Sequence, residues 1–203
     1  MRTSSLAHVL AGLVAAPLLL AAPAAPAAEA LFAREPFAKA KVHFMARAEK
    51  DGKVTLAELE VWAEGTRLRA RFTPGPGAPT GELWVDGFTA APLLVRAGKV
   101  EGTRRYSLEH GLALALQAAP APANSGNDRV AGRPCKLVTE EVQGGLTMTR
   151  CLWRGLPLSV EVSGRGFSFH AAATSVEEGA VTVADLQPPP GAPAAAPGLS
   201  AGR

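Results

Sequence analysis

Two stretches of the chain alternate strictly between apolar and polar residues. In TRLRARF (residues 66–72) leucine, alanine and phenylalanine alternate with three arginines, and LPLSVEVSGRGFSFHAAA (residues 156–173) alternates on both sides of a glycine-containing turn. A repeat of two residues is typical of strands that present one face to a core and one to solvent. The pattern therefore predicts antiparallel strands joined by short turns.

The first turn is predicted at Asp51-Gly52, a pair that favours a two-residue hairpin loop in which both residues take a left-handed conformation. This loop would place Phe44 opposite Leu59 and Val42 opposite Val61, so that apolar residues share one face.

The same residues admit another interpretation, because residues 47–58 can be aligned with a calcium-binding EF-hand loop that ends in Glu58. Arg47 then occupies the first position, where the ion requires an anionic oxygen. The motif also needs a helix on each side, whereas the following residues alternate as a strand does. Calcium binding by residues 47–58 is kept as a remote alternative.

A second turn is predicted at Glu64-Gly65. It would pair Val61 with Leu68 on the apolar face and Glu60 with Arg69 on the polar face, and opposite charges across two strands stabilise a sheet. The same register adds the pairs Leu59 with Ala70, Ala57 with Phe72 and Glu58 with Arg71.

In the C-terminal half, a Gly164-Arg165 turn would pair Val162 with Phe167 and place His170 beside Ser159 on the polar face. The same register pairs Val160 with Phe169 and Leu158 with Ala171. A three-residue loop at residues 177–179 would then return a last strand, with Val181 and Val183 on the apolar face.

The two cysteines are Cys135 and Cys151, and an even number in an exported chain favours a disulfide. A three-residue loop at residues 142–144 would place the two directly opposite each other, which independently favours the same bond. Free thiols or half of a metal site are the alternative, but no histidine is spaced near either cysteine.

Between the two halves the pattern is weaker. Residues 81–87 (GELWVDG) and 92–100 (PLLVRAGKV) are predicted as strands, and residues 105–117 fit either a helix, through Leu108, Leu112 and Leu116, or a strand. The helix is preferred because a plain linker follows. A short helix beginning at Pro36 and ending before Val42 is a further possibility.

The predicted fold is mainly β (α+β): a strongly curved antiparallel sheet of eight to eleven strands, or incomplete β-barrel, with one or two covering helices. Its apolar face must be buried against itself, a helix or a ligand. The residues predicted to line that face, as ligand-binding candidates or as plain core, are Phe44, Leu59, Val61, Leu68, Phe72, Val160, Val162, Phe167 and Phe169.

Residues 1–28 are predicted to be a secretory signal peptide, with cleavage between Ala27 and Ala30, because a charged start precedes a short apolar run and an alanine-rich end. Residues 29–187 then form a single domain, and residues 188–203 a disordered Pro/Ala/Gly tail. The protein is expected in the periplasm or secreted, from a Gram-negative bacterium.

The charged residues do not indicate a nucleic-acid partner. The chain has 21 basic and 18 acidic residues, and it has no basic stripe with interleaved aromatic residues. No nucleophile elbow, zinc-protease motif or phosphate-binding loop is present, so we expect no enzymatic activity, no cofactor and no metal.

The C-terminal half contains a Leu-Trp pair at Leu152-Trp153, a Pro157-Leu158 step and a domain end from Leu186 to Gly191. In these features the chain resembles the LolA/LolB-like periplasmic lipoprotein carrier superfamily, which has an (L/V)W strand, a Pro-Leu step and a similar end with phenylalanine more usual than leucine. The N-terminal meander and GELWVDG fit the same plan loosely, so the resemblance spans most of the mature chain. The resemblance implies an incomplete β-barrel closed by a helical lid around an apolar cavity that holds acyl chains.

Two functions follow as expectations. The first is a non-enzymatic carrier or binding protein for a lipid or an acylated protein, acting as a monomer. The second is a cell-envelope interaction or scaffold domain whose core is filled by its own side chains and which binds an envelope protein partner.

Overall fold

The computed structural model describes residues 36–86, 92–102, 105–116, 126–142, 144–188 and 190. The predicted signal peptide, most of the predicted tail and the linker after residue 116 lie outside these residues. Within them, the chain forms eleven strands and one α-helix. In chain order these are β1 (Phe37–Lys50), β2 (Lys53–Gly65), β3 (Arg67–Pro74), β4 (Gly81–Asp86), β5 (Leu93–Arg96), β6 (Lys99–Glu101), α1 (Leu108–Leu116), β7 (Asn127–Val130), β8 (Arg133–Val142), β9 (Leu146–Trp153), β10 (Leu156–Gly164) and β11 (Phe167–Glu178).

All eleven strands belong to one antiparallel sheet in the order β6-β5-β4-β3-β2-β1-β11-β10-β9-β8-β7. The first and last strands of the chain, β1 and β11, pair in its middle, so two meanders built from opposite halves of the sequence join there. The sheet is open, because β6 and β7 are not paired with each other. The predicted fold class, a curved half-barrel that is mainly β, is confirmed.

Alternation along the strands divides the sheet into two faces. The inner face carries the apolar residues of the main core, such as Phe44 and Leu59 on β1 and β2, and α1 packs against it. The outer face carries charged residues, such as Lys41 and Glu60, which form an ion pair of 3.0 Å. Burying one face and solvating the other is the arrangement that a period of two permits.

The Asp51-Gly52 turn is confirmed. Both residues have positive φ, 51° and 76°, and Lys50 pairs with Lys53 across the loop. The predicted pairs of Phe44 with Leu59 and Val42 with Val61 are also present. Residues 47–58 therefore form a hairpin, which contradicts the calcium alternative because that loop needs a helix on each side.

The second turn was predicted one residue too early. The loop is Gly65-Thr66, with Gly65 at φ 62°, and not Glu64-Gly65. Each pairing consequently shifts by two residues: Val61 faces Ala70, Leu59 faces Phe72, Ala57 faces Pro74, Glu60 faces Arg71 and Glu58 faces Thr73.

The third turn shows the same displacement, since the loop is Arg165-Gly166 with both residues at positive φ, 52° and 69°. Val162 therefore faces Phe169 and not Phe167, and His170 faces Glu161 and not Ser159. Val160 likewise faces Ala171, which corrects its predicted pairing with Phe169. In both hairpins a shift of two leaves every side chain on its predicted face.

The Cys135–Cys151 disulfide is present, with a Cα–Cα distance of 5.3 Å. Its predicted register is wrong, because the loop spans residues 143–145 and Leu137 is the residue opposite Cys151. Residue 143 itself lies outside the described part of the chain. The bond ties β8 to β9 near one end of the sheet.

Three further predictions need correction. Phe37 already belongs to β1, so no helix begins at Pro36. Residues 92–100 form a hairpin through Ala97 and Gly98, and not one strand. No strand follows β11 in the part of the chain that the structure describes; the chain turns at Gly179 into a 3₁₀ helix (Ala184–Leu186). Residues 105–117 contain the preferred helix, and GELWVDG contains the predicted strand β4.

The segment after β11 packs on the outer face. Val181 and Leu186 form a small buried cluster with Trp62 of β2, separate from the main core. The side chain of Asp185 accepts hydrogen bonds from the backbone N–H and the hydroxyl of Thr182, which close this turn at 2.8 and 2.7 Å. Those hydrogen bonds, chiefly the one from the Thr182 side chain, lower the pKa of Asp185. The predicted place of Val181 on the inner face is therefore wrong.

Candidate functional site

The nine predicted lining residues lie on the inner face and belong to one core cluster. They come from both halves of the chain and meet because β1 and β11 are neighbours. All nine are buried, and Leu68, Phe72, Val162 and Phe169 have no exposed surface. A side chain without accessible surface borders no space that water can enter, so the centre of the inner face is packed.

Helix α1 fills that centre. Seven of its nine residues are buried, among them Leu108 and Leu112, which also belong to the main core. The helix approaches the sheet closely at Gly111, where an added Cβ would lie 2.3 Å from Cγ of Phe169. The sequence identified the leucine stripe of this helix, but its alternation was equally compatible with a strand, and so α1 was not among the predicted site residues.

The start of α1 is fixed by a cap and an ion pair. The Ser107 hydroxyl accepts a hydrogen bond of 3.2 Å from the backbone N–H of His110, as an N-cap serine does. Arg96 of β5 donates to the Glu109 carboxylate at 2.8 Å. Burial raises the pKa of Glu109, but hydrogen bonds from its own backbone, Ser107 and Arg96 outweigh this effect and leave the pKa below its usual value. Glu109 is therefore ionised at neutral pH.

The end of α1 is held from the other half of the sheet. Arg150 of β9 is 2% exposed and donates a hydrogen bond of 3.5 Å to the Ala115 carbonyl in the last turn of the helix. Arg150 also forms an ion pair with Glu140 of β8. A cation at a helix C-terminus interacts favourably with the helix dipole, and the carboxylate compensates for the burial of the guanidinium. Helix α1 thus spans the inner face between two ionic anchors.

The inner face reaches solvent at the end of the sheet near the β1–β2 loop. A cavity of about 450 Å³ lies there between the two strands and the start of α1. Its inner wall is apolar and includes Ala48, Leu108 and Phe167, and its rim is formed by exposed residues such as Lys50 and Lys53. This volume is within the range of about 300–1,000 Å³ that is usual for small-molecule sites.

Three rings surround the start of the helix beside this cavity. The ring of Tyr106 lies 5.9 Å from that of His110 and 5.8 Å from that of Phe167. His110 accepts a hydrogen bond at Nδ1 from the backbone N–H of Tyr106, at 3.1 Å. Burial lowers the pKa of His110, and the charge of Arg105 lowers it further, so the imidazole is neutral at pH 7.

Of the predicted lining residues, Phe167 borders this cavity. Phe44 and Leu59 border a different depression of about 660 Å³, whose other walls are largely polar and include Glu58 and Thr174. The remaining six residues lie in the packed centre. The residues that sequence reasoning missed are Lys50, Lys53, Thr55, Arg105 and Tyr106, and only the inward alternation of residues 48–55 could have indicated some of them.

The outer face also carries exposed apolar side chains. Met45, Val54 and Leu56 are 48%, 48% and 55% exposed. Met45 and Leu56 border a depression of about 330 Å³ together with Pro76. Exposed apolar residues that cluster in this way are a feature of interaction surfaces.

No group of three or more histidine, cysteine or acidic side chains within the described segments has metal-binding geometry. In those segments no helix has the length and apolar character needed to cross a membrane.

No protein-family model matches this chain, and no curated protein matches it. Among solved structures, the Pseudomonas aeruginosa MucA/MucB complex contains a similar chain, with 20% identity and a TM-score of 0.40 over 79% of this chain and 59% of that one. This chain thus spans about three-fifths of that protein. A Vibrio parahaemolyticus domain assigned as an outer membrane lipoprotein-sorting protein is also similar, with 9% identity and a TM-score of 0.35 over 72% of this chain and 88% of that one.

Similarity of this degree carries no functional argument. The LolA/LolB-like resemblance stands at the level of a coarse fold, since the described residues form the open, curved sheet with an inner helix that the resemblance implies.

Proposed function

We propose that this protein is a non-enzymatic acyl-chain-binding protein of the cell envelope. An acyl chain of a lipid or an acylated protein would enter at the cavity beside the β1–β2 loop and extend along the inner face against α1. The observation that carries the proposal is this cavity, whose apolar wall of Ala48, Leu108 and Phe167 continues into the main core.

The packed centre limits what the present conformation can accept. A long acyl chain would need α1 to move away from Phe169, whereas a short one would fit the existing cavity. The helix is only nine residues long, and isolated helices of this length are marginally stable. Its position therefore depends on its packing against the inner face and on the ionic contacts of Glu109 and Arg150, and a movement would have to break these contacts.

A second candidate function is an envelope interaction domain with a filled core. Two observations favour it: the inner-face residues are buried under α1, and Met45, Val54 and Leu56 are exposed on the outer face. This candidate predicts a protein partner on the outer face and no saturable binding of acyl chains.

A fluorescent fatty acid distinguishes the two. We expect saturable binding to the wild-type protein and at least a tenfold loss of affinity in Thr55→Trp, because Thr55 is exposed and borders the cavity. The matched control is Thr147→Trp, which changes an exposed strand threonine of β9 and should bind normally. Absence of saturable binding to the wild type, or equal affinity in both variants, would reject the acyl-chain proposal.

A further inference from the structure

We infer that Lys50, Lys53 and Arg105 form a recognition site for an anionic head group, phosphate or carboxylate, at the mouth of the cavity. This inference rests on the proposed function, because it assigns the polar end of the molecule whose acyl chain would follow the inner face. It specifies the ligand as an anionic amphiphile.

The two lysines lie on the inner face of the sheet, which elsewhere carries the apolar core. Lys50 and Lys53 are directly opposite each other on β1 and β2, and their alternation puts them on the inner face, in line with the buried residues Ala48 and Ala57. Like charges directly opposite each other destabilise a strand pair. An anion bound between the two lysines would remove this repulsion.

The third cation comes from the chain segment before α1. Arg105 is exposed and borders the same cavity. Tyr106, the next residue, lies under Lys50, whose Nζ is 5.4 Å from the centre of the ring. This cation–π contact keeps the ammonium group of Lys50 at the cavity.

The charge balance of the rim favours an anion. None of the three cations has a carboxylate within ion-pair distance among the described residues, whereas two acidic residues of the lining are already paired: Glu49 with Arg47 and Glu109 with Arg96. Asp51, in the turn, is the remaining carboxylate of the lining. Three uncompensated cations thus face one uncompensated carboxylate.

The cavity joins this charge to an apolar wall. Ala48, Leu108 and Phe167 lie on the inner side of the same space that Lys50, Lys53 and Arg105 border at the rim. A small anion would use the rim alone, and a neutral amphiphile the wall alone. A ligand with an anionic head and an acyl chain matches both parts.

Calorimetric titration with dodecyl phosphate, dodecyl maltoside and inorganic phosphate tests the inference, with each detergent below its micelle concentration. We expect dodecyl phosphate to bind at least tenfold more tightly than dodecyl maltoside, and inorganic phosphate to show no measurable binding at millimolar concentration. High salt should reduce the advantage of dodecyl phosphate, because exposed charges are screened.

The variant Lys50→Gln/Lys53→Gln/Arg105→Gln should lose this advantage while it keeps its affinity for dodecyl maltoside. The matched control is Arg67→Gln/Lys99→Gln/Lys136→Gln, which removes three exposed cations that do not border the cavity. A second variant, Lys50→Arg/Lys53→Arg, keeps the charges and should bind as the wild type does, which separates loss of charge from loss of fold.

The outcomes separate the two proposals. Equal affinity for both amphiphiles, or an advantage that persists in the triple glutamine variant, would overturn the head-group site and leave acyl-chain binding intact. Binding of inorganic phosphate as tight as that of dodecyl phosphate would also overturn it, because the site would then take a free anion. Absence of binding by both amphiphiles would reject the proposed function itself.

Discussion

Gly111 of α1 lies directly against Phe169 of β11, so closely that a Cβ on Gly111 would come within 2.3 Å of Cγ and 2.8 Å of Cβ of the phenylalanine. The near atoms belong to the base of the side chain, next to the strand backbone, and cannot swing aside as the end of a flexible chain would. The glycine therefore sets the distance between helix and sheet, and with it the space available on the inner face.

Substitution of Gly111 by alanine tests this contact. Alanine favours a helix over glycine by about 1 kcal/mol, but overpacking a core costs about 1–3 kcal/mol. Because the added Cβ would lie only 2.3 Å from Cγ of Phe169, the overpacking cost should fall in the upper part of this range, and we expect a net decrease of about 1–2 kcal/mol in the free energy of unfolding, measured by urea denaturation. Gly102→Ala is the control, because nothing lies within 4 Å of a Cβ there, and it should change stability by less than about 0.5 kcal/mol.

A double-mutant cycle separates the steric effect from other causes. A Phe169→Ala background removes the ring atoms and leaves only the contact with Cβ of residue 169 at 2.8 Å, so Gly111→Ala should there cost less than in the wild type. Equal destabilisation in both backgrounds would show that α1 does not contact the sheet at Phe169.

The ion pair of Glu109 with Arg96 should stabilise the start of α1 in a pH-dependent manner. Glu109→Gln should lower the free energy of unfolding by about 1–2 kcal/mol at pH 7, because the side chain is 19% exposed and its hydrogen bonds involve charged groups. Glu141→Gln, an exposed change on β8 without an ion pair among the described residues, should have little effect.

The sign of the pH effect follows from the lowered pKa of Glu109. Its stabilising contribution is fully present above the usual value of 4.5 and is lost as pH falls through the lower value of the folded state. The difference between wild type and Glu109→Gln should therefore decrease between pH 5 and pH 3. A constant difference across this window would contradict the assignment.

The disulfide should stabilise the end of the sheet that is formed by β7, β8 and β9. Cys135 and Cys151 are 16 residues apart, and closing a loop of this length is worth about 3 kcal/mol in the chain-entropy model. We expect reduction, or the double change Cys135→Ala/Cys151→Ala, to lower the free energy of unfolding by up to this amount in urea denaturation. No difference between oxidised and reduced protein would indicate that the bond does not form.

The cluster of Trp62, Val181 and Leu186 should hold the segment after β11 on the outer face. Leu186→Ala should lower stability by about 2 kcal/mol and increase proteolysis after residue 178, because Leu186 is 3% exposed. Val183→Ala changes a neighbour that is 75% exposed and should have no effect. Equal behaviour of the two variants would show that the segment is not packed there.

The face of each strand could be predicted from the sequence more reliably than its register. Alternation placed Leu59, Phe72, Val162 and Phe169 on the inner face correctly. The Gly65-Thr66 and Arg165-Gly166 loops, however, lie one residue later than predicted. A displaced two-residue loop shifts each pairing by two, and this keeps apolar residues opposite apolar ones. Periodicity alone therefore cannot distinguish the two registers.

The site was harder to predict than the fold, because it depends on contacts between segments that are distant in sequence. The packed centre depends on α1, whose residues 112–116 alternate as a strand would, and on Arg150 and Glu140, which look like surface residues in the sequence. Their role follows only from the position of β8 and β9 beneath the end of the helix. Likewise, Lys50 and Arg105 are far apart in sequence, and only the folded chain brings them to the same cavity.

Photochemical labelling with a diazirine-containing fatty acid, followed by mass-spectrometric mapping of the adducts, tests the central claim most directly. Binding along the inner face predicts saturable adducts in the segments around Ala48, Leu108 and Phe167, which an excess of unmodified fatty acid should suppress. Labelling that is not saturable, or that is confined to the exposed outer-face residues Met45, Val54 and Leu56, would contradict the claim.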